Sequence, residues 1–147
     1  MINHYAIVAH KPPHSYGDCL RAAVASILNC ADVTDVPHFM QKGDDQDGND
    51  MLRAFLRSRG YQPYLNAYPA ASHSLANLND MMASINPGVE YLFFCKCGND
   101  NHVVICRDGE IVHDPAPFPV PISGPHDHDG IEGGIWLIMV LVPIKYG

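Results

Sequence analysis

Three residues in this chain could do chemistry together: Cys19, His102 and Asp114. Cys19 follows Gly17-Asp18 and heads a stretch in which Leu20, Ala23, Val24, Ile27 and Leu28 recur at helical spacing. The unpaired amides and the macrodipole of a helix start favour a negative charge, so a thiolate is expected to form there more readily. The plainer reading is an inert packed cysteine, a common fate of this residue. A packing cysteine, however, needs no Gly-Asp turn before it.

His102 opens the apolar run His102-Val103-Val104-Ile105-Cys106. Arg107-Asp108-Gly109-Glu110 and Ile111-Val112-His113-Asp114-Pro115 follow, and the whole reads as a hairpin. Its register decides whether His102 meets Asp114. A two-residue Asp108-Gly109 loop pairs Arg107 with Glu110 and turns Asp114 to the other face. A three-residue loop with Gly109 in the left-handed region pairs Cys106 with Glu110 and sets His102 opposite Asp114. The second register also stacks Val104 on Val112 and Ile105 on Ile111, so it is the one expected. A carboxylate at that position fixes the imidazole tautomer. Cysteine, histidine and an orienting acid make a thiol acyl-transfer triad. Taken singly, His102 reads as a strand-end residue and Asp114 as part of an Asp-Pro turn; it is their conjunction with Cys19 that points to catalysis.

The elements that must position these groups follow from periodicity and punctuation. A first helix starts at residues 17–19, with Asp18 or Ser15 as its cap, and Asn29 to Asp32 end it. A polar loop, Gln41 to Asp50, precedes a second helix with Met51, Leu52, Phe55 and Leu56 on one face, stopped by Gly60. Gln62 to Ala67 is a short strand. A third helix runs from about Ser74 to Ile85, and Asn86-Pro87-Gly88 terminates it. Glu90 to Lys96, His102 to Arg107, Glu110 to His113 and Ile135 to Val142 read as strands. The last is apolar on both faces and is expected to be central. Pro115 to Gly134 is expected to be a long loop bordering the site. Helices first and strands afterwards predict an α+β domain with an antiparallel sheet.

Gly17-Asp18-Cys19 with the helix to Leu28, His102-Val103-Val104 and His113-Asp114-Pro115 together resemble a papain-like cysteine peptidase. The nearest branch is the double-glycine-leader (bacteriocin-processing) peptidases and their small stand-alone relatives. The chain also resembles small uncharacterised proteins of bacteria and their phages, in which a segment like Val36-Pro37-His38-Phe39 follows the cysteine helix. The resemblance implies one papain-like α+β domain over residues 1–147, N-terminal helices packed on a C-terminal antiparallel sheet. It implies hydrolysis of a peptide, isopeptide or amide bond, without a cofactor, on a peptide or protein substrate. By the same resemblance Cys19 matches the nucleophile, His102 the general base and acid, and Asp114 the orienting residue. The family usually carries a glutamine that helps to bind the oxyanion, at the place held here by Pro13, which has no donor. The Cys19 backbone amide and His14 or Ser15 (Tyr16 also lies near) are the expected substitutes. A papain-like binding or inhibitor protein without turnover is the alternative. Acyl transfer to an amine ranks below both.

Other clusters have plainer readings. Cys95, Cys97, His102 and Cys106 lie within one hairpin and could hold zinc, although structural zinc sites prefer two or more residues between paired cysteines. Cysteines packed in a sheet are the simpler expectation. Setting Gly48 at the glycine position of a calcium loop puts Gly43 and Ala54 where carboxylates are required, which excludes an EF-hand. His126-Asp127-His128-Asp129 is expected to be a mobile polar loop tip.

Composition bounds the partners. Lys plus Arg number 9 against 16 Asp plus Glu, a net charge of −7. Nucleic acid and anionic membranes call for basic surfaces, so neither is expected. The chain is 47% hydrophobic and 17% charged, which is globular rather than disordered. Its longest apolar run, Ile135 to Pro143, is too short to span a bilayer as a helix. Five cysteines without an export signal suggest a reducing cytoplasm, of a bacterium or a phage-infected host.

Overall fold

The computed structural model describes residues 1–145. In chain order its elements are α1 (Cys19–Ile27), a single 3₁₀ turn (Val33–Asp35), α2 (Asp45–Ser58), β1 (Tyr61–Pro69), α3 (Leu75–Ile85), β2 (Tyr91–Cys97), β3 (Asp100–Arg107), β4 (Glu110–His113), β5 (Ile122–Pro125) and β6 (Ile135–Pro143). Among the described residues the chain is therefore mixed α+β, with three α-helices and a six-stranded sheet. It forms two compact units. The first holds Met1–Tyr64, Pro115–Pro117 and the residues from Leu141; the second holds Leu65–Asp114 and Phe118–Val140.

In the first unit, α1 is buried along residues 22–26. Three of these are alanines, so neighbouring chain can approach the helix closely on more than one side. The helix stops at Asn29, which takes φ +54°. The Cys30 amide donates to the Ala25 carbonyl and the Asn29 amide to that of Ser26. This is a Schellman stop with asparagine in the left-handed position. α2 starts at Asp45, inside the stretch expected to be loop, rather than at Met51. The reason is local: the Asp44 side chain accepts the Gln46 and Asp47 amides, and Asp45 and Asp47 stand at the positive end of the helix dipole. Gly48 lies within that helix at a close approach to its neighbour, where a Cβ would lie 2.8 Å from the Phe39 carbonyl oxygen.

In the second unit, α3 is capped by Ser74, which accepts the Asn77 amide. Leu78 and Met82 of α3 pack on Tyr91, Phe93, Val104 and Trp136. Phe93 and Trp136 stack with ring centroids 5.7 Å apart, and the Trp136 indole donates to the His73 carbonyl at 3.0 Å. The burial thus leaves no stranded polar group on the tryptophan.

The sheet order is β1-β6-β2-β3-β4, so β6 is central as its two apolar faces predict. β2 pairs antiparallel with β3 along its whole length. Its other edge is shared, with β6 against Leu92–Phe94 and β5 against Cys95–Cys97. The stretch expected to be one long loop therefore contains a strand. The Ser123 hydroxyl anchors it, donating to the Gly98 carbonyl at 2.8 Å with the Lys96 carbonyl also within 3.2 Å.

The β3–β4 turn is the two-residue one, contrary to the expected three-residue loop. Asp108 and Gly109 have φ +55° and +77°, and Arg107 pairs with Glu110. Two consecutive left-handed residues make the primed turn that suits strand twist. Gly109 also has no room for a side chain, since a Cβ would run into the Asn79 carbonyl of α3. Gly109→Ala is expected to destabilise the fold by about 1–3 kcal/mol, measured by urea denaturation. A change near zero would show that the turn and α3 yield without cost.

Candidate functional site

The hairpin register sets the first half of the site. From the turn, Arg107 faces Glu110 and Cys106 faces Ile111, but Ile105 faces His113. Val112 is therefore an extra residue, a β-bulge that flips the parity of everything beyond it. Without the bulge, a two-residue turn would send Asp114 to the face away from His102. With it, Asp114 comes level with Val104, diagonally next to His102 on one face. His102 Nε2 lies 2.7 Å from Asp114 Oδ1. The side chains are 8% and 14% exposed, so water competes weakly for that bond. The carboxylate can only accept, so Nε2 carries the proton and the tautomer is set. The expected pair is present, reached by a different register from the one expected.

Cys19 is the first residue of α1, half-buried, in the first unit. His102 and Asp114 belong to the second unit. The turn before Cys19 is built by side chains. Asp18, 1% exposed, does not cap α1 as expected. Its Oδ1 instead accepts the Ile7 and Val8 amides, each at 2.9 Å, which ties the N-terminal segment to the head of the helix. Its Oδ2 has no hydrogen bond and lies 3.6 Å from Arg21 Nη1, an ion-pair distance too long for a hydrogen bond.

The Val36-Pro37-His38-Phe39 segment braces both flanks of Cys19. Arg21 Nε donates to the Val36 carbonyl at 2.8 Å, and His38 Nε2 donates to the Tyr16 carbonyl at 2.8 Å. Phe39 is buried beneath.

The expected oxyanion donors fare differently. The Cys19 amide precedes the helical ladder, whose first bond runs from the Ala22 amide to the Asp18 carbonyl. Ser15 gives its hydroxyl proton to the Ala9 carbonyl at 2.6 Å. That commitment removes its O–H as a donor. Ser15 is also bridged to Lys11, and exposed His14 sits on the turn between them, after the cis Pro12–Pro13 peptide. Sequence reasoning passes over His10, whose Nδ1 accepts the Gly17 amide at 3.1 Å. Its one sequence signal is Gly17, where a Cβ would lie 3.1 Å from His10 Cβ.

The other cysteines behave as packing residues. None of the five is in a disulfide. Burial pushes the Cys95 thiol well above its ordinary range, with Cys97 nearby adding to the effect. Burial likewise raises Cys106 to about 12. Zinc ligation needs thiolates, which this environment disfavours. Among the described residues no three His, Cys, Asp or Glu side chains gather as a metal site. The 126–129 stretch, expected to be a mobile tip, is tied down. Lys96 Nζ meets Asp127 Oδ2 at 2.7 Å, and the Asp127 amide donates to Asn101 Oδ1 at 2.9 Å. A cavity of about 450 Å³ lies there, lined by Lys96, Ser123, Asp127, His128 and Ile131 among others.

No helix among the described residues is long and apolar enough to cross a membrane. No family model, curated protein or solved structure matches the chain.

Proposed function

We propose that the protein is a papain-like thiol hydrolase that cleaves a peptide, isopeptide or amide bond with Cys19, His102 and Asp114. The observation that carries this reading is the 2.7 Å bond between His102 Nε2 and Asp114 Oδ1, which the bulge in β4 makes possible. In the mechanism, Cys19 gives its proton to His102 and its sulfur attacks the carbonyl carbon. The carbonyl π pair moves onto oxygen. Collapse breaks the C–N bond, and the amine leaves with the proton that His102 returns. Water then adds to the thioester, passing its proton to His102; the C–S bond breaks and Cys19 is regenerated. With Nε2 engaged by Asp114, this traffic runs through Nδ1. Asp114 stays ionised and stabilises the imidazolium.

A groove-binding protein without turnover is the second reading. It is favoured by Pro13, which has no donor, and by the Ser15 hydroxyl being spent on Ala9.

Iodoacetamide labelling over a pH series, mapped by mass spectrometry, tests the hydrolase reading. Cys19 is expected to react first among the five thiols. Cys95 and Cys106 should stay unmodified until strongly alkaline pH, because raised thiol pKa values keep them protonated below it. If Cys19 labels no faster than Cys97, the half-buried thiol of β2, the nucleophile assignment fails.

A further inference from the structure

We propose that the Nε2–H of His10 is the second donor to the substrate carbonyl oxygen, beside the Cys19 amide; this rests on the hydrolase reading. Acyl transfer through a tetrahedral intermediate needs preorganised donors where the negative charge develops. Of the expected side chains Ser15 donates elsewhere, and Pro13, at the place of the usual glutamine, has no N–H.

His10 meets the requirement on four counts. First, its tautomer is fixed. A backbone amide can only donate, so the Gly17 N–H makes Nδ1 the acceptor, and the neutral ring carries its proton on Nε2. Secondly, the ring is bonded to the backbone just before the nucleophile. Gly17 is two residues from Cys19, at most about 7.6 Å between Cα atoms. His10 Cβ lies so close to Gly17 that only glycine fits there without displacement. Thirdly, the segment carrying His10 is anchored. Asp18 grips the Ile7 and Val8 amides, Ser15 grips the Ala9 carbonyl, and Lys11 bridges Ser15. The Tyr16 ring stands 6.1 Å from the imidazole. A donor held this way needs little reorganisation as charge builds. Fourthly, His10 is exposed, so an incoming carbonyl can reach it.

Two reagents separate this role from a structural one. p-Nitrophenyl acetate acylates a thiolate: the S–C bond forms, the carbonyl pair passes through an oxyanion, and p-nitrophenolate leaves with the C–O pair. Iodoacetamide alkylates the same sulfur by displacing iodide, with no oxyanion. In His10→Ala, acylation of Cys19 is expected to slow on the order of 10²-fold, while its alkylation rate stays at the wild-type value. His10→Gln, which keeps a side-chain N–H, should recover part of the loss. Equal slowing with both reagents would assign His10 a merely structural role and overturn the proposal, as would an unchanged acylation rate in His10→Ala. Failure of the hydrolase reading itself is visible earlier, as wild-type Cys19 that alkylates no faster than the other thiols.

Discussion

His102→Ala should lower turnover of an amide substrate, found by screening a peptide pool, on the order of 10⁶-fold, the scale of losing the histidine of a nucleophile–histidine pair. In the proposed mechanism His102 takes the thiol proton and returns it to the leaving amine, and the residues that follow it, Val103, Val104 and Ile105, are apolar and cannot replace it. Asp114→Asn should cost far less. An amide oxygen still accepts from Nε2–H, so the ring keeps its tautomer and orientation and only the charge that stabilises the imidazolium is lost. Asp114→Ala removes the acceptor and should fall between the two, on the order of 10⁴. The measurement is kcat and kcat/KM for the three variants on one substrate, with far-UV circular dichroism to verify folding. Wild-type turnover in His102→Ala would sink the mechanism. Equal losses in Asp114→Asn and His102→Ala would mean that charge, not orientation, is what Asp114 supplies.

The second large effect concerns stability. Phe93→Ala should destabilise the protein by about 3–5 kcal/mol. Phe93 is 2% exposed, in the middle of β2, between Val104 of β3 and Ile138 of β6. It stacks on Trp136 and meets Tyr91 edge-on at 6.4 Å. The cavity left by alanine is walled by strands hydrogen-bonded on both sides, so it cannot easily collapse. Against a total stability of about 5–15 kcal/mol, the loss should lower the melting temperature by roughly 10 °C. Urea denaturation followed by circular dichroism gives the number. A loss below about 1 kcal/mol would show that α3 moves in to fill the space.

The sequence was informative where one signal dominated. α3 is bounded by Ser74 and Asn86, and β4 lies at Glu110–His113, because caps and β-branched runs leave little choice there. It misled where two local rules competed. At Asp44–Asp50 polarity argued for loop, yet Asp44 as cap and the dipole's preference for acid made the same residues a helix start. β5 is short, and its pairing with the second half of β2 is a tertiary choice that Ile122–Pro125 does not announce. The pairing of His102 with Asp114 was legible as residue types, but its route was not. A bulge is a one-residue surplus in a ladder, and Val112 looks like any other β-branched strand residue. His10 was illegible for a different reason, since hydrogen bonds to backbone amides leave no spacing pattern. Only Gly17, a residue noticed for its turn, marked the place where an imidazole lies close.

The N-terminal segment runs alongside α1 from one end to the other. The Ile2 amide donates to Asn29 at the C-terminal end, the His4 amide to Ser26 in between, and the Ile7 and Val8 amides to Asp18 at the start. The Ile2 amide is therefore tied to a residue about 15 Å along the helix axis from Cys19. An affinity tag or fusion partner added upstream therefore starts from the C-terminal end of α1, the end away from Cys19.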